Sequence, residues 1–189
     1  MDLFDEIVRA GQGTLALVRG QRNAPSFFDY SYAGLAGSFA FLVITLGLSA
    51  FLNASVSQQT PFTLSAWQWF SMLVSIISIQ LASAAFVLAQ MRRSDGLLPY
   101  IVTSNWTTFF LSMIALIIGF LPLGFSVTMF VLLAGTLIIW VNTLRLVVTL
   151  SPGQIAIFIL VQLGVTFFAA IVVAALILPE MPVEMTTAS

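Results

Sequence analysis

The stretch "AWQWFSMLVSIISIQLASAAFVLAQMRRSDG" (residues 66–96) decides the fold. Its first 26 residues carry no charged side chain, and two arginines and an aspartate then follow within four residues. A helix needs about 20 apolar residues to cross the ~30 Å hydrocarbon core of a bilayer. An uncharged run of this length that ends in a charged turn is therefore typical of a membrane-spanning helix followed by a turn at the membrane surface.

The same pattern recurs along most of the chain. Of the 189 residues, 60% are hydrophobic and only 7% are charged, whereas soluble domains carry about 25% charged residues. The long apolar runs do not show the alternation that β-barrel strands require. We therefore expect an all-α polytopic membrane protein with five transmembrane helices. The predicted spans cover residues 30–52, 66–91, 97–121, 126–150 and 155–178.

The two segments outside the spans have different character. Residues 1–29 are expected to form a cytoplasmic amphipathic segment. Within it, residues 2–19 carry both apolar and polar side chains in a pattern that predicts an amphipathic helix along the membrane surface. This helix could dock a partner protein or simply anchor the chain at the surface. Residues 179–189 carry Glu180 and Glu184 and are expected to form a short periplasmic tail.

The placement of arginine predicts the orientation. Five spans put all six arginines on one side of the membrane and none on the other. Because basic residues concentrate in cytoplasmic segments, we expect a cytoplasmic N-terminus and a C-terminus on the opposite side of the membrane. The arginines are Arg9, Arg19, Arg22, Arg92, Arg93 and Arg145.

The composition argues against most kinds of chemistry. The sequence has no histidine, cysteine or lysine, which excludes histidine or thiolate metal ligands, thiol nucleophiles and Schiff bases on this chain. Neither a nucleotide-binding glycine loop nor a pair of catalytic carboxylates is present. We therefore expect a protein that is not an enzyme, holds no cofactor or metal and binds no nucleic acid.

Each predicted span carries an amide or hydroxyl side chain at a similar distance from its cytoplasmic end. At ~1.5 Å of rise per residue, these side chains lie roughly 12–16 Å below the cytoplasmic surface. The spans would thus build one polar layer, which no acid or base joins, and this argues against a proton relay. The members of the polar layer are Ser38, Gln80, Asn105, Asn142 and Gln162.

Two interpretations of the polar layer stay open. In the first, the side chains bond across helices and hold the bundle together, each pair contributing about 0.6–2 kcal/mol. In the second, they line a small polar cavity, open to the cytoplasm, that takes a ligand or an ion.

Arg145 is the one charged residue placed within a predicted span. It lies close enough to the cytoplasmic end to extend its guanidinium to the interface. Asp95 in the neighbouring turn is its candidate partner, and the pair would form a latch between two helical hairpins. Alternatively, a phosphate group or the C-terminal end of a helix satisfies Arg145.

Two stretches carry a family resemblance. In "LALVRGQRNAPSFFDYSYAGLAGSF" (residues 15–39) a cytoplasmic helix leads into the first span, and "YIVTSNW" (residues 100–106) opens the third span after a charged turn. In these stretches and in its layout the chain resembles Yip1-domain membrane proteins, most of all those of alphaproteobacteria. The resemblance implies five spans and a cytoplasmic N-terminus. The likeness to bacterial members further implies a bacterial inner membrane with a periplasmic C-terminus. The family is associated with vesicle trafficking and small GTPases in eukaryotes, and for bacterial members the resemblance implies no activity, cofactor or site residue.

Two functions follow from these observations. The leading hypothesis is a non-enzymatic, Yip1-like inner-membrane protein that packs against partners as an accessory, scaffold or assembly subunit. Its partners would be membrane lipids and other membrane proteins or a second copy of the chain. The alternative is a small transporter or channel component that uses the polar layer. An intramembrane enzyme is disfavoured, because the residue types that it needs are missing.

Overall fold

The computed structural model describes residues 3–57, 65–119 and 124–177, and these ranges contain helices and turns but no β-strand. Short 3-10 turns at Ala24–Phe27 and Ser94–Gly96 precede the second and fourth α-helices, and a π-helical turn at Thr143–Val147 extends the fifth. The α-helices are α1 (Leu3–Val18), α2 (Tyr32–Ser57), α3 (Ala66–Gln90), α4 (Leu97–Gly119), α5 (Phe125–Asn142) and α6 (Pro152–Ile177).

Five of these helical segments are long and apolar enough to cross a membrane, which confirms the all-helical fold class and the predicted number of spans. The membrane that they cross and the side on which each end lies remain predictions. The expected tail at 179–189 lies outside the described residues. The candidate spans are Tyr32–Leu52, Ala66–Gln90, Ser94–Ile118, Ser126–Val147 and Pro152–Leu176.

Two of the spans begin with the same sequence motif, Ser-x-x-Gln. At the start of α3, the Ser65 backbone N–H donates to the Gln68 side-chain oxygen at 2.9 Å, and the Gln68 N–H donates to the Ser65 hydroxyl at 3.2 Å. Ser151 and Gln154 form the same reciprocal pair before α6, at 3.0 and 3.4 Å. Such pairs satisfy backbone donors that have no partner within the helix, so they fix where each span begins.

The spans do not pack in simple sequence order. α2 packs against α3 and α4, and α5 packs against α4 and α1. α6 lies along α3 rather than along α5, although α5 precedes it in the chain. The last two spans therefore diverge from the turn that joins them, and this divergence leaves room inside the bundle.

Helix α1 packs onto the bundle against α4 and α5. Ala10, Thr14 and Leu17 are buried on this side. Gly13 lets the segment that follows α1 pack closely on this helix, because a Cβ atom there would lie 2.7 Å from the ring of Phe28. Gly20, at a φ of 65°, ends the helix in the left-handed conformation. The expectation that this segment lies along a membrane surface stays a prediction.

Candidate functional site: a polar cavity between the spans

A cavity of about 270 Å³ lies between the spans, and all five of them contribute to its wall. Three residues of the predicted polar layer line it: Gln80, Asn105 and Gln162. The remaining wall combines hydroxyl-bearing and aromatic side chains with aliphatic ones. These are Leu42, Ile77, Leu81, Tyr100, Ser104, Thr107, Thr108, Leu111, Thr136, Ile139 and Trp140.

Gln80 and Gln162 join α3 to α6 at one side of the cavity. The Gln162 side-chain N–H donates to the backbone carbonyl of Gln80 at 3.2 Å. In return, the Gln80 side-chain N–H donates to the Thr166 hydroxyl at 2.7 Å, and that hydroxyl donates to the Gln162 carbonyl at 2.7 Å. This closed set of bonds holds both glutamines in fixed positions.

One atom of this network is left without a bond. Gln162 is 1% exposed, and its Oε1 atom has no hydrogen-bond partner among the residues that the structure describes. A buried acceptor without a donor costs about 1–3 kcal/mol. The oxygen lies in a residue of the cavity wall, but it is itself shielded by the surrounding protein atoms.

Asn105 and Ser38 bond across α4 and α2. The Asn105 side-chain N–H donates to the Ser38 hydroxyl at 3.1 Å, and that hydroxyl donates to the Leu35 carbonyl at 2.8 Å. Both side chains are buried. This pair has the geometry of the first interpretation, a bond that holds two helices together, although Asn105 also borders the cavity.

Asn142 is not among the residues that line the cavity. Its side-chain N–H donates to the Leu17 carbonyl at 2.7 Å, so it connects the end of α5 to the end of α1. Its sequence depth suggested a place beside the other amides, but depth alone does not define the face of a helix. The structure thus brings Gln80, Asn105 and Gln162 to one cavity, with Ser38 behind Asn105, and places Asn142 elsewhere.

The cavity combines a mainly apolar wall with several polar but uncharged side chains. None of the described residues that line it is acidic or basic. Some of its hydroxyl groups bond within their own helix, as Thr107 does when it donates to the Ser104 carbonyl at 3.1 Å. An ion without a partner of opposite charge is costly inside a membrane protein, so this wall suits a neutral molecule better than a charged one.

The predicted latch between Asp95 and Arg145 is wrong. The Asp95 carboxylate pairs with Arg93, at 3.4 Å from its Nε atom. Arg145 instead lies beside Gly20, where a Cβ atom would be 3.2 Å from the guanidinium. Asp95 follows Arg93 by only two positions in the same turn, so the nearer arginine takes the carboxylate.

Arg93 makes the connection that was expected of Arg145. Its guanidinium crosses from the α3–α4 turn to the α5–α6 turn and donates to the Val148 carbonyl at 2.5 Å and the Thr149 carbonyl at 2.9 Å. It also donates to the Thr149 hydroxyl. The partners are mainly backbone oxygens, for which the sequence carries no signal.

The chain matches no protein-family model, no curated protein and no solved structure. The resemblance to Yip1-domain proteins therefore remains a prediction from the two stretches quoted above. The geometry of the cavity has to carry the functional argument by itself.

Sequence reasoning identifies one part of the cavity wall and misses another. Ser104 and Thr108 share a helical face with Asn105 on α4, so their spacing predicts them as part of the polar layer, and both line the cavity. Thr136 and Trp140 on α5 share a helical face in the same way. Nothing in their pattern distinguishes them from ordinary packing residues, because α5 is apolar on every side.

Proposed function

We propose that this protein is a non-enzymatic membrane protein that binds a small uncharged molecule between its spans, as a transporter or channel component. The observation that carries the proposal is the cavity, to which every span contributes at the depth of the polar layer. If the polar layer served packing alone, its amides would meet each other and leave no such space. Here the side-chain oxygen of Gln162 has no hydrogen-bond partner among the described residues.

The hydrogen bonds around the cavity support this proposal. The bond between Asn105 and Ser38 joins α4 to α2, and the network of Gln80, Gln162 and Thr166 joins α3 to α6. They lie at the border of the cavity and fix its shape. Preformed sites of this kind, apolar with a few fixed polar groups, are typical of small-molecule binding.

A second candidate function is the accessory or scaffold role, in which the spans pack against partner proteins. One face of α2 favours it, since Ala36, Ala40 and Gly47 are exposed and a Cβ atom at Gly47 would meet nothing within 4 Å. Small residues let helices approach closely in a membrane. The Yip1-like assignment and the bacterial inner membrane belong to this same proposal.

The orientation is part of the proposal as well. The α3–α4 turn with Arg92 and Arg93 touches the α5–α6 turn, and Arg145 lies beside Gly20 at the end of α1. These arginines therefore gather at one end of the bundle, which supports a cytoplasmic location for that end.

Solute permeation into vesicles tests the first proposal. Vesicles that contain the purified protein are transferred into an isotonic solution of urea or glycerol. They should swell faster than protein-free vesicles do, as followed by light scattering. Thr108→Phe should abolish the increase, because the added ring occupies the cavity. Ala82→Phe is the matched control, since Ala82 is exposed on α3 and does not line the cavity.

Permeation equal to that of protein-free vesicles would contradict a role as a transporter or channel for these solutes.

The second candidate function, the accessory or scaffold role, is tested by affinity purification from native membranes. Ala40→Leu should reduce the amount of any co-purified membrane protein, while Ala82→Leu should not. Equal recovery with both variants would contradict a partner interface on this face of α2.

A further inference from the structure

A second cavity lies where helix α1 packs onto the bundle. It measures about 220 Å³ and is formed by α1, α4 and α5, and we call it the α1 groove. Among the described residues that line it, only Thr14 has a polar side chain, and its hydroxyl donates to the Ala10 carbonyl at 2.9 Å. Apolar cavities exclude water, and one of ~150 Å³ with an apolar lining holds benzene. The α1 groove therefore suits an apolar chain somewhat longer than benzene.

The α1 groove opens towards the apolar part of the membrane. Leu15, Val18 and Val131 line it and are exposed, so protein does not cover it on that side. Its α4 and α5 residues belong to the candidate spans Ser94–Ile118 and Ser126–Val147. In a bilayer, the neighbours of such spans are the acyl chains of lipids. A segment of one acyl chain therefore fits both the lining of the groove and its surroundings.

One end of the α1 groove lies beside Arg145. This arginine follows the groove residue Ile139 by six positions, a helical rise of about 9 Å. Its Nη2 atom would lie 3.2 Å from a Cβ atom on Gly20, and Gly20 follows the groove residue Val18 by two positions. The Arg145 side chain is also exposed. A guanidinium is therefore within reach of a phosphate whose acyl chain occupies the groove.

Two further arginines lie near Arg145. Arg19 and Arg22 are exposed in the segment that leaves α1. The turn that follows them, Ala24–Phe27, packs against Thr143–Val147, which carries Arg145. Among the described residues, no carboxylate pairs with any of these three arginines. Because like charges that are held together repel each other, an anion at this place relieves the repulsion.

The carbonyl groups at the end of α1 do not take up Arg145. Such carbonyls often accept from a nearby arginine, but here they are bonded to other donors. The Leu17 carbonyl accepts from the Gly20 N–H at 3.0 Å and from the Asn142 side-chain N–H at 2.7 Å. The Ala16 carbonyl accepts from a backbone N–H at 2.9 Å. Arg145 makes no hydrogen bond or ion pair with the described residues, so its donors are available to a ligand.

We infer that an anionic phospholipid binds at this place, with part of one acyl chain in the α1 groove and its phosphate on Arg145. Arg19 and Arg22 add positive charge, which favours a headgroup with a net negative charge. The lipid fills the space beside α1 and connects this helix to α4 and α5. The inference does not rest on the proposed transport function, because it requires only that the spans lie in a membrane.

Native mass spectrometry of the purified full chain tests the headgroup. The protein is mixed in detergent with equal amounts of dioleoyl phosphatidylglycerol and dioleoyl phosphatidylcholine, which share their acyl chains but differ in headgroup charge. Bound phosphatidylglycerol should exceed bound phosphatidylcholine by about tenfold, as for one additional charge-assisted contact. In Arg145→Gln the two should become nearly equal. Arg92→Gln is the control and should keep the preference, because Arg92 is an exposed arginine outside this cluster.

Two glycines test the acyl chain. Gly135 lines the α1 groove, and a Cβ atom there would meet nothing within 4 Å. Gly135→Leu should reduce bound phosphatidylglycerol by about tenfold, because the leucine side chain takes the space of the acyl chain. Gly164→Leu is the matched control, since its Cβ atom would also meet nothing within 4 Å and Gly164 does not line the groove. In the unmodified protein, sn-glycerol 3-phosphate, which has a phosphate but no acyl chain, should not displace the lipid.

Equal binding of the two lipids by the unmodified protein would overturn the inference, and so would a preference that persists in Arg145→Gln. If Gly135→Leu kept the lipid, or if sn-glycerol 3-phosphate displaced it, the headgroup would bind without the groove and the inference would be wrong. A lipid-free dimer that Gly135→Leu abolishes would overturn it in favour of a second copy of the chain in the groove. The comparisons in the unmodified protein decide the matter even where a variant does not fold.

Discussion

Arg93 and Thr149 are 56 positions apart in the chain, and the Arg93 guanidinium donates to the Thr149 carbonyl at 2.9 Å. Thr149 has a φ of 58°, which is unusual for a β-branched residue and costs on the order of 1–3 kcal/mol. This backbone turns the Thr149 carbonyl and hydroxyl to a place where Arg93 reaches both. The contact joins the α3–α4 turn to the α5–α6 turn.

The first prediction concerns this contact. Arg93→Met keeps the apolar stem but removes the donors to Val148 and Thr149, so it should lower the free energy of unfolding by about 1–3 kcal/mol. Arg92→Met is the control, because the Arg92 side chain is exposed next to it and the change should cost less than about 0.5 kcal/mol. Denaturant titration in detergent measures both. Equal losses from the two variants would contradict a structural role for Arg93.

The second prediction concerns the close contact of the same two turns. A Cβ atom on Gly96 would lie 2.5 Å from Val148 Cγ1, so Gly96→Ala should destabilise the protein by about 1–3 kcal/mol. Combining it with Val148→Ala should recover part of that loss. Gly153→Ala is the matched control, since a Cβ there would meet nothing within 4 Å, and it should stabilise α6 by roughly 0.5–1 kcal/mol. If Gly96→Ala left the free energy of unfolding unchanged, the result would contradict a tight contact between the two turns.

The sequence predicts the spans because the ability of a segment to cross a bilayer depends on the residues of that segment alone. Apolar length alone decides whether a helix can cross, and the run at 66–91 corresponds to the observed Ala66–Gln90. The sequence also predicts the polar layer, because an amide side chain is unusual within a long apolar segment. Gln80, Asn105 and Gln162 do meet one cavity.

The contacts that the sequence did not predict depend on which helices pack against each other. Asn142 is an amide at the expected depth, yet it bonds to Leu17 of α1, because α1 packs against α5. Arg145 and Asp95 have opposite charges, but their separation depends on how two turns meet, and Arg93 stands closer to the carboxylate. The glycines of α1 look like weak helix formers in the sequence, whereas Gly13 is the point where Phe28 approaches the helix.

The third prediction separates packing from ligand binding within the polar layer. A double-mutant cycle of Asn105→Ala and Ser38→Ala should give a coupling energy of about 0.6–2 kcal/mol, as expected for an amide–hydroxyl bond between membrane helices. The free energies come from denaturant titration of the two single variants and the double variant. A coupling energy near zero would contradict the bond that the structure shows between α4 and α2.

The fourth prediction concerns pH. Burial raises the pKa of the Glu6 carboxyl above its ordinary value of 4.5, and the nearby Asp29 carboxylate raises it further. The Oε1 atom has no hydrogen-bond partner in the described structure and lies where a Cβ on Gly37 would be 2.9 Å away. The folded state therefore holds the proton more tightly. This contribution to stability is complete below pH 4.5 and is lost as the pH rises through the raised pKa.

Glu6→Gln removes this titration. The Tm difference between Glu6→Gln and the unmodified protein should therefore grow in favour of the variant as the pH rises from about 4 to 8. Asp5→Asn is the control, because Asp5 is exposed on the same helix. A Tm difference for Glu6→Gln that stays constant with pH would contradict the burial of this carboxylate.

The central claim is that the cavity between the spans admits small uncharged molecules, and thiol labelling tests it most directly. The chain contains no cysteine, so a single cysteine reports its position without background. We predict that Thr108→Cys, on the cavity wall, reacts in native membranes with the small neutral reagent methyl methanethiosulfonate. Ala84→Cys, at a position that is 0% exposed inside a packed cluster, should stay unmodified under the same conditions. A cysteine at 108 that reacts no faster than one at 84 would contradict the claim.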